Sequence, residues 1–225
     1  MAKKEENLQA YKAGDIFAFE LVPGEYAFGR LILDLDRQCY KTGKAEKHGV
    51  LGVADRDAVF FELFQQTSPD KVFNTNEMDV LIPGMYAGNY SLEDFEWEVV
   101  AHVPIDPEKV DFPEFLTIEG AFSGKFIKGE LSHVIEIPME EVERIGIYPS
   151  MKALIAIPEY VLYALGRIEE IREDRRSIRD MKDEDIRYSE HRKRVYDLLP
   201  AEYNQDKSYY ELAKEKGFDL QRFYE

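Results

Sequence analysis

Gly14-Asp15-Ile16-Phe17-Ala18-Phe19-Glu20-Leu21-Val22-Pro23-Gly24-Glu25-Tyr26-Ala27-Phe28-Gly29-Arg30 reads as a β-hairpin. Two apolar-rich runs meet at Pro-Gly. Pro23 presets φ for the second residue of a type II turn, and Gly24 supplies the positive φ of the third. Phe17, Phe19 and Leu21 alternate onto one face of the first run; Ala18 and Glu20 take the other. The second strand runs from Tyr26 to Leu33.

Outward from the hairpin, the pattern over 14–137 is mostly of period two, broken by Gly and Pro. Lys41 to Gly49 is a polar loop. Ala58-Val59-Phe60-Phe61-Glu62-Leu63-Phe64 is apolar on both alternating faces, which predicts a strand covered on two sides. Val80-Leu81-Ile82 is a short run, and Pro83-Gly84 repeats the turn dipeptide. In Phe95-Glu96-Trp97-Glu98-Val99-Val100-Ala101 the aromatic and aliphatic residues alternate with Glu96 and Glu98, so Trp97 faces the core. Lys125–Lys128 and Val134–Ile137 are further strands. Pro138 to Gly146 is a short helix with Pro early, acids in its first turn and Gly after its end.

The character changes near residue 150. Pro158 to Arg179 reads as one long helix, with Val161, Leu165, Ile168 and Ile171 at helical spacing. Residues 184–199 read as a second helix. Tyr209 to Lys216 reads as a third, ended by Gly217. The expected organisation is a β-rich domain over 1–150 and a C-terminal helical extension over 151–225. The fold class is α+β, antiparallel and β-rich, a twisted sheet or partly open barrel.

Composition bounds the function. The chain of 225 residues is long enough to bury a core without staples. Cys39 is the only cysteine, which excludes an internal disulfide framework and fits a reducing compartment. The N-terminal Met-Ala-Lys-Lys-Glu-Glu-Asn has no apolar core of a signal peptide, and no run reaches transmembrane length, so a cytoplasmic location is expected. Net charge is −16. Residues 1–150 hold 28 acids against 14 bases, whereas 151–225 hold 17 against 15, so the acidity belongs to the first two-thirds. Such a surface repels phosphate backbones, which argues against nucleic-acid binding. It attracts a basic protein, or it serves solubility alone.

Catalytic signatures are missing. His48, His102, His133 and His191 are scattered, with no H-E-x-x-H and no cysteine partners, so no metal site is expected. There is no G-x-S-x-G elbow, Gly43-Lys44-Ala45 is not a P-loop, and no G-x-G-x-x-G occurs, so no cofactor is expected. Asp34/Asp36, Asp55/Asp57, Glu93/Asp94/Glu96/Glu98 and Glu140/Glu141/Glu143 are carboxylate runs. Each reads as solvated surface or as the acid–base face of a hydrolase. A scaffold assembled through the helical tail is a further alternative, and a homodimer is compatible with all of these.

Gly14-Asp15-Ile16-Phe17-Ala18 followed by Gly24-Glu25-Tyr26-Ala27-Phe28-Gly29-Arg30 is similar to the opening of the immunity protein 26 family of bacterial polymorphic toxin systems. The later strand Ala58–Phe64, the Trp97-Glu98-Val99-Val100-Ala101-His102 strand and Pro113-Glu114-Phe115 continue the resemblance, which spans about residues 14–116. Phe19-Glu20-Leu21 stands where a more aliphatic, Pro-containing run is expected, the 34–57 loop is long, and 138–225 has no counterpart. The resemblance implies a protein that binds a cognate toxin domain and neutralises it without catalysis. An acidic body suits a toxin with a basic surface. Tight binding needs a few anchors inside a charged rim. Glu96 and Glu98, with Glu93 and Asp94 beside them, are the electrostatic candidates. Tyr86 and Tyr90 are aromatic candidates, read as anchors or as packed turn residues.

Overall fold

A computed structural model describes residues 11–45, 58–88, 97–149 and 151–225. The opening hairpin is present as β1 (Asp15–Val22) and β2 (Glu25–Asp34). Gly24 has φ 82°, the positive value that a type II turn demands. Type II geometry splays paired strands. A bulge beside the turn takes up the mismatch: Glu20 pairs with Tyr26 but Val22 with Glu25, which leaves Leu21 extra on β1.

Strands β3 (Ala58–Ser68), β4 (Val80–Gly88) and β5 (Glu98–His102) complete an antiparallel sheet of order β4-β3-β2-β1-β5. Residues 58–64 of β3 are buried throughout, as their doubly apolar pattern predicts. Val59, Phe61 and Leu63 pack with Phe17, Phe19, Leu21 and Leu31 on one face. Ala58 and Phe60 pack with Tyr86, Phe112 and Phe115 on the other.

Pro83-Gly84 does not form the expected turn, and the loop expected around Tyr86 is strand. β4 runs straight through the dipeptide. Ile82 pairs with Leu63 and Met85 with Phe61, so Pro83 and Gly84 together oppose Glu62 in a bulge. As an edge strand, β4 tolerates the missing amide of Pro83. A Cβ on Gly84 would stand 2.6 Å from the Phe60 ring. We therefore expect Gly84→Ala to cost about 1–3 kcal/mol through displacement of that ring. Urea denaturation checks it; an unchanged midpoint would show that Phe60 moves aside freely.

The second sheet is β6 (Glu114–Gly120), β7 (Ser123–Lys128) and β8 (Leu131–Glu136), ordered β6-β7-β8. Helix α1 (Met139–Ile145) follows Pro138 and ends at Gly146, φ 65°, as its sequence predicts. It lies over the sheet where Gly124 leaves room for Ile137, Leu116 and Val142. Both sheets are open, so the α+β antiparallel reading holds without barrel closure.

The long helix expected over 158–179 ends early. Helix α2 (Ile157–Ala164) stops in a Schellman motif: Gly166 has φ 75°, its amide donates to the Tyr163 carbonyl, and the Arg167 amide donates to the Leu162 carbonyl. Short 3-10 turns follow at Ile168–Glu170, Glu173–Arg175 and Met181–Glu184. The helix expected over 184–199 is likewise reduced, to a 3-10 turn Ile186–Tyr188 and α3 (Arg192–Tyr196). Asp185 accepts from the Arg187 amide, and the Ser189 hydroxyl accepts from the His191 amide. Side chains that bond the local backbone in this way compete with helix. Helix α4 (Tyr209–Glu215) forms as expected, with a Ser208–Glu211 capping box and Gly217 at φ 84°.

The C-terminal residues join the same apolar clusters as the sheets. Ile157, Val161 and Leu162 cover the Phe17–Phe61 face, while Val195, Tyr196, Tyr209, Leu212 and Phe223 pack with Phe60, Phe112 and Phe126.

Candidate partner-binding surface

From Trp97 onward the alternation is as expected: Trp97 and Val99 pack on one cluster and Glu98 is exposed between them. Trp97 stacks on Phe19 at 5.0 Å between ring centroids and touches Phe17 and Phe61. Glu98, the next residue, points to solvent and pairs with Lys71 at 2.9 Å. The Lys71 ammonium also lies 5.3 Å above the Tyr26 ring. Lys71 comes from the segment after β3, with no periodic signal to mark it as the partner of Glu98. Glu93, Asp94, Glu96 and Tyr90 lie outside the described residues.

Tyr86 realises the packed alternative and offers no surface anchor. Its ring is 4% exposed and lies 4.8 Å from Phe60 and 6.5 Å from Phe112. Burial pushes its hydroxyl well above the usual tyrosine range. The cause is its strand register: Tyr86 pairs with Phe60 in β3 and points between the two sheets.

A carboxylate network without a local sequence signal ties the second sheet to the C-terminal turns. Glu114 is fully buried at the start of β6. Arg192 holds both its oxygens at 3.0 Å, Lys128 Nζ approaches at 3.1 Å, and the Tyr196 hydroxyl donates at 2.7 Å. Lys128 also reaches Asp111 at 3.0 Å, and Arg187 bridges Asp111 at 2.8 Å and Asp185 at 2.6 Å. The Glu114 amide donates to Asp185 at 3.1 Å, which closes the circuit. Burial by itself would raise the pKa of Glu114 and Asp111; the adjacent guanidinium and ammonium groups outweigh it and hold both below the usual carboxylate range.

Glu62 and Glu130 shift the other way. Burial raises each of them, opposed by a single arginine: Arg30 at 2.7 Å for Glu62, and Arg222 for Glu130. These buried carboxylates are engaged with cations across strands and turns, an arrangement that fixes elements to one another. Among the described residues, no group of three or more His, Cys, Asp or Glu side chains is placed to hold a metal ion. No described helix is long and apolar enough to cross a membrane.

A family model described as Immunity protein 26 matches residues 12–127, more than half of the chain. The match takes in all strands of the five-stranded sheet, together with β6 and nearly all of β7. Comparisons with curated proteins and with solved structures give no match. The chain belongs to the immunity protein 26 family.

Proposed function

We propose that this chain binds a cognate toxin domain directly and neutralises it, without catalysis of its own, in the cytoplasm of a bacterium. The family match over residues 12–127 carries this reading, because it embraces the sheet on which the remaining elements are mounted. The charge supports it: a chain of net charge −16, with its acid excess concentrated in residues 1–150, attracts a partner with a basic surface and speeds their encounter.

The test is co-expression with the toxin domain encoded beside the gene of this chain. Cells carrying the toxin domain alone should stop growing, and those also carrying this chain should grow. The two purified proteins should co-elute, with the complex weakening as salt rises. Absence of both protection and a complex would overturn the reading.

A further inference from the structure

The turn that joins β6 to β7 is Ala121-Phe122, and Phe122 is 80% exposed, the most open large hydrophobic side chain among the described residues. Phenylalanine has no local reason to occupy a tight turn, where Gly, Asn, Asp and Ser supply the favoured geometry. Ile118 on β6 and Met139 at the start of α1 are also exposed. The turn is held in place: the Ile137 amide donates to the Phe122 carbonyl at 3.2 Å, and the Met139 amide to the Ala121 carbonyl at 3.1 Å. Phe122 is therefore presented on a fixed support, and fixing the backbone beforehand reduces the ordering cost of binding.

Carboxylates surround this end of the sheet. Glu119 precedes the turn, Glu136 pairs with Ser123 just after it, and Glu140 and Glu143 lie on α1. All four are exposed, and none makes an ion pair or side-chain hydrogen bond with another described residue. Lys125, half-buried on β7 opposite Thr117 and Val134, is the nearby base without an ion pair. Arg144 and Arg194 both turn to Glu141 instead. The contrast with Glu98, neutralised by Lys71, and with the fully paired Glu114 network is clear: here the negative charge is left open. An exposed apolar side chain at the tip of the hairpin, with unpaired carboxylates on the strands and helix that flank it, resembles an anchor with a charged rim, and its sign fits a basic partner.

We propose that the outer end of the β6–β7 hairpin, with Phe122 as anchor and Glu119, Glu136, Glu140 and Glu143 as rim, docks a basic face of the toxin domain. This rests on the immunity reading above. The experiment measures binding kinetics of the full chain to the purified toxin domain encoded beside its gene. Phe122→Ala should speed dissociation about tenfold or more, as loss of a central aromatic anchor does. Simultaneous Glu→Gln changes at 119, 136, 140 and 143 should slow association about tenfold at low salt and flatten its salt dependence. Val72→Ala, at another exposed hydrophobic outside this region, should leave both rates unchanged. All these side chains are exposed, so urea midpoints matching the parent chain verify folding. If the parent chain binds and both hairpin variants keep its rates within about twofold, the docking surface lies elsewhere. If the parent chain neither binds nor protects, the immunity reading falls and this surface with it.

Discussion

Glu114→Ala should lower the free energy of unfolding by about 3–5 kcal/mol, because it leaves Lys128 and Arg192 beside a fully buried site with no carboxylate between them. The Tyr196 hydroxyl loses its acceptor as well. Replacing one partner of a buried pair is costly because the desolvation of the remaining charge is no longer offset. Urea denaturation measures the loss; a change below about 1 kcal/mol would mean that water or a rearranged Asp111 takes over the role. The charge can be separated from the packing with Glu114→Gln. Glu114 has a folded pKa below its ordinary value of 4.5. Its ionised form therefore contributes stability that is present above the unfolded pKa and is lost as pH falls through the lowered folded value. The stability gap between parent and Glu114→Gln should be full at neutral pH and should shrink on acidification below about 4.5. Comparing the two proteins at each pH isolates this group from Glu62 and Glu130, whose raised values give the opposite slope. A gap independent of pH would assign the effect to hydrogen-bond geometry.

What the sequence reveals follows from how local its cause is. The Pro23-Gly24 turn, the Tyr209 helix ended by Gly217 and the Pro138–Gly146 helix are set by neighbours within a few residues, and each is legible. Pro83-Gly84 uses the same dipeptide as the true turn. The Phe60 ring on β3 and the pairing of β4 make it a bulge, and neither is visible locally. The apolar spacing through Val161, Leu165, Ile168 and Ile171 suggests one helix; Gly166 interrupts it with a left-handed residue, and Ile168 emerges exposed while Ile171 is buried. The same limit governs the candidate site. Alternation places Glu98 outward, yet its partner Lys71 is 27 residues away, and Arg192 meets Glu114 across 78 residues. Phe122 carries no periodic signal, and its meaning comes from exposure and from the unpaired acids that the sheet and α1 bring around it.

Tyr209→Ala should cost about 3–5 kcal/mol, and the loss should register throughout the molecule. Tyr209, at the start of α4, is completely buried, with its ring 4.6 Å from Phe112 in an edge-on contact. Its hydroxyl accepts from the Glu130 amide at 3.2 Å. The ring lies against Gly129, whose φ of 57° and missing side chain make room for it; a Cβ there would stand 2.7 Å from the ring. Alanine at 209 thus opens a cavity and strands a buried amide. Phe112 stacks in turn on Phe60, a residue of the five-stranded sheet, at 4.6 Å. Trp97, the single tryptophan, reports on the opposite face of that sheet through its stacking on Phe19. If residues 151–225 are energetically part of the same body, Tyr209→Ala should lower the urea midpoint of Trp97 fluorescence and that of far-ultraviolet circular dichroism by equal amounts, in one coincident transition. A fluorescence midpoint that stays at its parent value while the dichroism midpoint falls would show that the C-terminal segment detaches as a separable extension. Coincidence is the expected result, because the packing runs without a break from Tyr209 through Phe112 and Phe60 to the pairing of β3 with β2.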